Sequence, residues 1–329
     1  MGTLADKASK VLDTKRKIAA AIEQMTGKPA GDVFADYPEQ ILGIQTGGGS
    51  GWTGHADVEG LKAIGWTDED IAYYQQYGVN WNEEDDAFHK VPEDNKALYG
   101  VINIGNVQQY KDILVYLPKI DMTGVTSLSS KFDRFYSLVA IPLLDTSKVT
   151  NMYSTFSNCC SLVFIPPLDT SSVTTMSYLC QNCYSLLFIS PLDASKVTTM
   201  SYLLQNCYSL ISAALLNTSN AATVSNIFNS CRSLVSITEF DFSNATIETT
   251  SFSNCSSLRF CNIRNLKGSV NISATSLLEK SSLLYMIENA SSVSSCTIKL
   301  SAHCYNKYSS DPDVVAALSA QPLVSLASA

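Results

Sequence analysis

A chain of 329 residues with 46% apolar side chains can bury a sizeable core, although only 16% of its residues are charged. The net charge of −8 is concentrated in residues 1–120, which carry 11 basic and 18 acidic side chains, so no basic face exists to neutralise phosphates. Nucleic acid and membrane insertion are therefore not expected, and no apolar run approaches the length of a membrane-spanning helix.

In chain order, the first residues carry alternating charges (Asp6, Lys7, Lys10, Asp13, Lys15, Arg16, Lys17) and no apolar h-region, so no signal peptide is expected. Leu4, Ala8, Val11, Lys15, Ile18, Ile22 and Met25 step alternately by four and three, which predicts a helix over 3–26. Leu4, Val11, Ile18, Ile22 and Met25 form a candidate oligomerisation seam, with a trimer favoured over a dimer. A helix packing on its own domain is the alternative. Gly27 and Pro29 end this helix, and Phe34, Tyr37, Ile41 and Ile44 suggest a second. Residues 1–46 thus read as a helical anchor, followed by a Gly/Ser linker over 47–51.

Residues 52–112 read as an acidic helical neck module. Thr67 followed by Asp70 is a capping box opening a helix that Gly78 closes, with Tyr73, Tyr74 and Tyr77 on it. The run 82–86 lacks the alternating ligands and distal Glu of a calcium loop and reads as a solvated turn. Gly100 to Ile104 suggests a strand entering the next region.

Residues 113–276 repeat themselves in register at one constant interval. Phe135, Cys159, Cys183, Cys207, Cys231 and Cys255 share one column, and Leu138, Leu162, Leu186, Leu210, Leu234 and Leu258 another. Such a period predicts a solenoid, an α/β stack in which each coil buries its apolar face against its neighbours. Asp121, Asp145, Asp169, Asp193 and Asp241 open coils as turn caps. Leu128, Met152, Met176 and Met200 precede Phe132, Phe156, Cys180 and Leu204 by four, which suggests a short helix or 3₁₀ turn per coil. Asn158, Asn182, Asn206 and Asn254 suggest a ladder that satisfies carbonyls of the neighbouring coil. The ten cysteines read as free core thiols rather than disulfides, because the column repeats at roughly 5 Å along the stack and accepts Phe135. Cys180 and Cys183 make one CxxC without a second pair, so no metal is expected. Residues 277–329 read as a C-terminal cap, with a helix around Leu283, Leu284 and Ile287, a strand at 297–300 and a helix over 312–319.

The unit 144–162, LDTSKVTNMYSTFSNCCSL, resembles the BspA-type leucine-rich repeat. That resemblance implies an extended binding solenoid, of the kind found in bacterial cell-surface adhesins that bind host or matrix proteins. Residues 15–41 resemble the N-terminal segment of phage fibre and tail-associated proteins. Residues 60–74, with Gly78–Trp81, resemble a module of virion proteins from phages of gut Bacteroidetes. Together these resemblances imply a virion appendage made in the host cytoplasm, a fibre whose N-terminal helices contact other virion proteins and whose repeat is displayed toward a host surface protein or glycan. A cell-surface adhesin is the alternative.

Catalysis is not expected. The three histidines, His55, His89 and His303, sit beside no nucleophile pattern, no phosphate loop follows a strand, and no cofactor is implied. The columns that vary are the candidate surface. One reads Tyr136, Cys160, Tyr184, Tyr208, Arg232, Ser256, and another Ser154, Tyr178, Tyr202, Asn226, Thr250. Tyr178, Tyr184, Tyr202 and Tyr208 are the candidate ligand-binding residues, because a tyrosine presents a flat apolar face with a polar tip. The alternative is that they stack on one another and shield the core.

Overall fold

The computed structural model describes residues 58–76, 91–216, 218–245 and 247–329. The anchor 1–46 with its seam (Leu4, Val11, Ile18, Ile22, Met25), the linker 47–51, Tyr77, Gly78 and the acidic run 82–86 lie outside the described residues.

The chain is of mixed α and β content, and its strands pair in parallel. From Tyr116 onward it returns alongside itself once in every repeat. Parallel bridges join Tyr116 to Ala140, and a second line runs Ser127, Asn151, Thr175, Thr199, Thr223. Strand β1 (Phe164–Ile165) pairs with β2 (Phe188–Ile189). Strands β3 (Leu192–Asp193), β4 (Ser212–Leu216), β5 (Ser236–Asp241) and β6 (Phe260–Arg264) form a four-stranded sheet in that order. Ser212 lies opposite Ser236, and Ser236 opposite Phe260. This constant register turns columns of sequence into columns in space. The leucines 138, 162, 186, 210, 234 and 258 are all fully buried in one core, beside the strand column Ile141, Ile165, Ile189, Ala213, Ile237 and Cys261. Phe132 stacks on Phe156 at 5.4 Å, and Phe228 on Phe252 at 5.7 Å.

The expected helical turn in each coil is replaced by consecutive tight turns. Thr155 N–H donates to the Met152 carbonyl and Cys159 N–H to Phe156, three residues back each time. The alternate groups, Met152, Ser154, Phe156 and Asn158, donate instead to the Thr175, Ser177, Leu179 and Gln181 carbonyls of the next coil. Left-handed residues at two positions four apart break any helix, Tyr178 at φ 63° and Asn182 at φ 60° in one coil. The three-then-four spacing is thus met by turns whose spare donors are satisfied between coils. Residues 101–106 likewise form turns rather than a strand: Asn103 Oδ1 accepts from Gly105 N and Asn106 N.

Helices α1 (Val58–Ala63) and α2 (Asp68–Gln76) pack on the flank of the repeat rather than standing off as a neck. Leu61, Ile64, Trp66, Ile71 and Tyr74 bury against Tyr116, Ala140, Phe164 and Phe188. The capping box forms as expected: Thr67 N donates to Asp70 Oδ2 at 2.7 Å, and Asp70 N donates to Thr67 Oγ1 at 3.2 Å. The same Asp70, fully buried, accepts from Lys119 Nζ at 2.9 Å and Leu143 N at 2.8 Å. Trp66 Nε1 donates to the Leu117 carbonyl, and Tyr74 Oη to that of Ile141. Helix α3 (Glu93–Leu98) follows, anchored by Asn95 donating to the Tyr116 carbonyl.

Beyond β6 the step changes. β7 (Gly268–Asn271), β8 (Cys296–Leu300) and β9 (Val324–Ser328) form a separate parallel sheet. In it Gly268 meets Cys296 and Cys296 meets Val324, a longer step than that of the coils. Helices α4 (Lys280–Glu288), α5 (Ala302–Tyr308) and α6 (Pro312–Ala320) occupy the extra length. Leu278, Leu283, Met286 and Ile287 join the same core as the coils, as a cap requires. Of these elements, β7, α5 and β9 are not anticipated by the sequence pattern.

Candidate functional site

The turn-side edge of the coils carries the variable columns. It is built from the residue level by backbone conformation. The left-handed region suits Asn because its short side chain bonds locally, and Asn158, Asn182, Asn206 and Asn254 all have φ between 60° and 62°. Their amides form a ladder: Asn182 Nδ2 donates to Asn158 Oδ1 at 2.8 Å, and Asn206 Nδ2 to Asn182 Oδ1 at 2.7 Å. The ladder therefore exists, but it bonds side chain to side chain; the neighbouring coil's carbonyls are taken by backbone N–H groups. Gln181 and Gln205 add a parallel contact at 2.7 Å.

Just beneath lies the cysteine column. Each thiol donates to a carbonyl of the preceding coil: Cys159 to Phe132, Cys183 to Phe156, Cys207 to Cys180, Cys231 to Leu204 and Cys255 to Phe228, all at 3.0–3.1 Å. Cysteine suits this slot as a small apolar group that also donates, while in the first coil Phe135 fills it fully buried and without donating. All ten cysteines are free. Burial pushes the Cys159, Cys180 and Cys207 thiols well above their ordinary range and Cys255 up to about 12. Such thiols are neither nucleophiles nor metal ligands near neutral pH. Among the described residues, no group of three or more His, Cys, Asp or Glu is gathered as a metal site requires.

The four predicted tyrosines come together as two stacked pairs on this edge. Tyr178 and Tyr202 stack with centroids 4.9 Å apart and planes at 9°; Tyr184 and Tyr208 stack at 4.9 Å and 5°. Three residues outside the predicted set join them. Tyr153, 43% exposed, meets Tyr178 edge-on at 5.4 Å, the Arg232 guanidinium lies 4.9 Å over the Tyr208 ring, and Tyr136 lies in the column of Tyr184 and is 49% exposed. Burial raises the Tyr184 phenol above its ordinary value, with the nearby Cys160, Tyr208, Cys183 and Tyr136 adding to the rise. Tyr136 is visible in its sequence column; what the sequence does not show is which ring faces the stacking leaves open.

Tyr178 and Tyr202 are also strained. Their φ values of 63° and 59° fall in the left-handed region, where the equivalent residues are Ser130, Ser154 and Asn226. A bulky residue there costs about 1–2 kcal/mol, and a stacked aromatic pair returns about 0.5–1.5 kcal/mol. The serines and asparagine at the equivalent positions hold the same conformation, so the strain belongs to the position, and the stacking is what tyrosine adds there.

No curated protein matches the sequence. The family model described as "Mycoplasma protein of unknown function, DUF285" matches residues 105–186 and 163–266, together just under half of the chain. These matches cover the columns that resemble the BspA-type repeat and the whole tyrosine edge. Over this stretch the chain is similar to that Mycoplasma family of unknown function.

Proposed function

We propose that this protein is a surface-displayed binding repeat, an adhesin-like solenoid that contacts its target through the tyrosine edge and performs no catalysis. The observation that carries the reading is the line of stacked, partly exposed tyrosines along one edge of the repeat, Tyr178 on Tyr202 and Tyr184 on Tyr208. The family match is compatible with a surface repeat protein.

The test is binding of the full chain to a panel of bacterial cells, epithelial cells and matrix proteins, with Tyr178, Tyr184, Tyr202 and Tyr208 all replaced by serine. The chain itself places serine at Ser130, Ser154 and Ser256 in the same columns, so the variant is expected to fold. Loss of binding with an unchanged melting curve is the expected result. Undiminished binding by the folded variant would rule out the edge as contact surface.

A narrower form of the proposal makes the chain a homo-oligomeric phage fibre, anchored to other virion proteins through residues 1–46 and located in the virion. Its support is the likeness of residues 15–41 and 60–81 to virion proteins; the family match covers neither stretch. Selective binding to bacterial cells, with a full chain that sediments as a trimer, is expected on this form. A monomer that binds only matrix proteins favours the cellular adhesin.

A further inference from the structure

We propose that the column Tyr136, Cys160, Tyr184, Tyr208 holds, between Tyr136 and Tyr184, a socket for one aromatic side chain of a surface protein, which enters the stack as its missing ring. This deepens the binding reading above and rests on it.

The column itself sets the width. Tyr184 stacks on Tyr208 at 4.9 Å with planes at 5°, and the Arg232 guanidinium lies 4.9 Å over the Tyr208 ring. Flat groups in successive coils thus follow one constant step, and the span from Tyr184 to Arg232 encloses a single ring. The span from Tyr136 to Tyr184 covers the same number of coils, about 10 Å from ring to ring. The register does not drift across it: Val163 N donates to the Val139 carbonyl at 3.2 Å, Leu187 N to that of Val163 at 2.9 Å, and Ser185 N to that of Cys160 at 3.2 Å. In that span the chain places Cys160, whose thiol turns to the Asn158 carbonyl at 3.4 Å and supplies no ring. Tyr208, covered on both faces, is half-buried, whereas Tyr136 and Tyr184 are 49% and 37% exposed. Among the described residues, no ring fills the rung between them.

These surroundings select an uncharged aromatic ring. Between two tyrosines it gains stacking contact on both faces. A guanidinium would need a counter-ion once its water is displaced. The carboxylate closest in the chain to Tyr136 is already engaged: Asp133 pairs with Arg134 at 3.7 Å and accepts from Asn158 Nδ2 at 2.9 Å. A nucleobase would bring its phosphate to a chain of net charge −8 with no basic face. A tyrosine, phenylalanine or tryptophan at the tip of a partner's loop brings a ring without charge and loses little rotamer freedom on insertion.

The experiment is saturation-transfer NMR of the full chain with N-acetyl-tyrosinamide, N-acetyl-leucinamide and N-acetyl-argininamide. Transfer to the tyrosinamide alone is expected. Cys160→Tyr supplies the missing ring within the chain and is expected to weaken that transfer by about tenfold or more. Cys160→Ser, which leaves the socket open, and Tyr99→Ser, outside the column, are expected to leave it within about twofold. The column itself holds tyrosine at Tyr136 and Tyr184 and serine at Ser256, so both substitutions at position 160 use residues its coils accept. Cys160→Tyr, stacked on both neighbours, is also expected to melt at or above the temperature of the unaltered chain. A lower melting temperature would show that the rung does not admit a ring and overturns the socket, as does tyrosinamide transfer that is absent or that survives Cys160→Tyr. Equal transfer to the leucinamide or the argininamide overturns the aromatic occupant. In the adhesion assay, Cys160→Tyr is expected to lose binding as the four-serine variant does. Undiminished adhesion by Cys160→Tyr, beside loss in the four-serine variant, overturns the socket and leaves the tyrosine edge standing. Undiminished adhesion by the four-serine variant overturns both.

Discussion

At the residue scale, two identities reach beyond simple core filling. Cysteine is the small apolar residue that also donates a weak hydrogen bond, and five of them donate to the preceding coil. Burial raises the pKa values of Cys159, Cys180 and Cys207, so these three thiols stay protonated as pH rises through 8. Of the ten cysteines only Cys160 is more than slightly exposed. At pH 8 Ellman's reagent is therefore expected to label one thiol promptly and the others only on unfolding; prompt labelling of the whole column would contradict the buried assignment. Tyrosine at the left-handed positions is the second identity. Because asparagine tolerates the left-handed region, as Asn226 does at the equivalent position, its gain there offsets most of the lost stacking, and Tyr202→Asn is expected to shift unfolding free energy by less than about 1 kcal/mol in a urea titration. A loss of several kcal/mol would make the ladder a structural brace instead.

At the scale of elements, the contact between α1–α2 and the coils depends on one carboxylate. Desolvation works to raise the Asp70 pKa, but hydrogen bonds from Thr67, Lys119 and Leu143 outweigh it and hold the carboxyl below its ordinary 3.8. A depressed folded-state pKa contributes stability that is fully present above the ordinary value and is lost as pH falls through the lower one. Asp70→Ala strands the Lys119 ammonium and the Leu143 N–H and is expected to cost about 3 kcal/mol. Hydrogen exchange should then quicken over residues 58–76 while the leucine column stays protected; equal loosening of both would show that the helices and coils unfold as one. The capping box is legible in the sequence because its two residues are three apart. The clamp is not, since Asp70 and Lys119 are distant in the chain and nothing local announces the pairing. The turns read as helix because a three-then-four spacing is common to both, and the positive φ of Tyr178 and Asn182 is invisible in the pattern. The longer step of the cap is not legible either, because β7, β8 and β9 share no sequence column with the coils.

At the scale of the molecule, one apolar core runs from the turns at Ile102 and Val107, through the coils, to Val314 and Val324. Stacking of this kind fixes the lateral columns with the precision of a sheet, about 5 Å per step, and so can hold a set of side chains against an extended target. The flank is occupied by α1–α2, which leaves the turn edge as the long face with exposed aromatic residues. The central claim is that this edge is the contact surface, and hydroxyl-radical footprinting of the full chain bound to a cell type to which it adheres tests it most directly. Oxidation of Tyr136, Tyr153 and Tyr184 is expected to fall on binding, while Tyr99, equally exposed at 47% but outside these columns, stays unchanged. Protection of Tyr99 with no change along the edge would contradict the account.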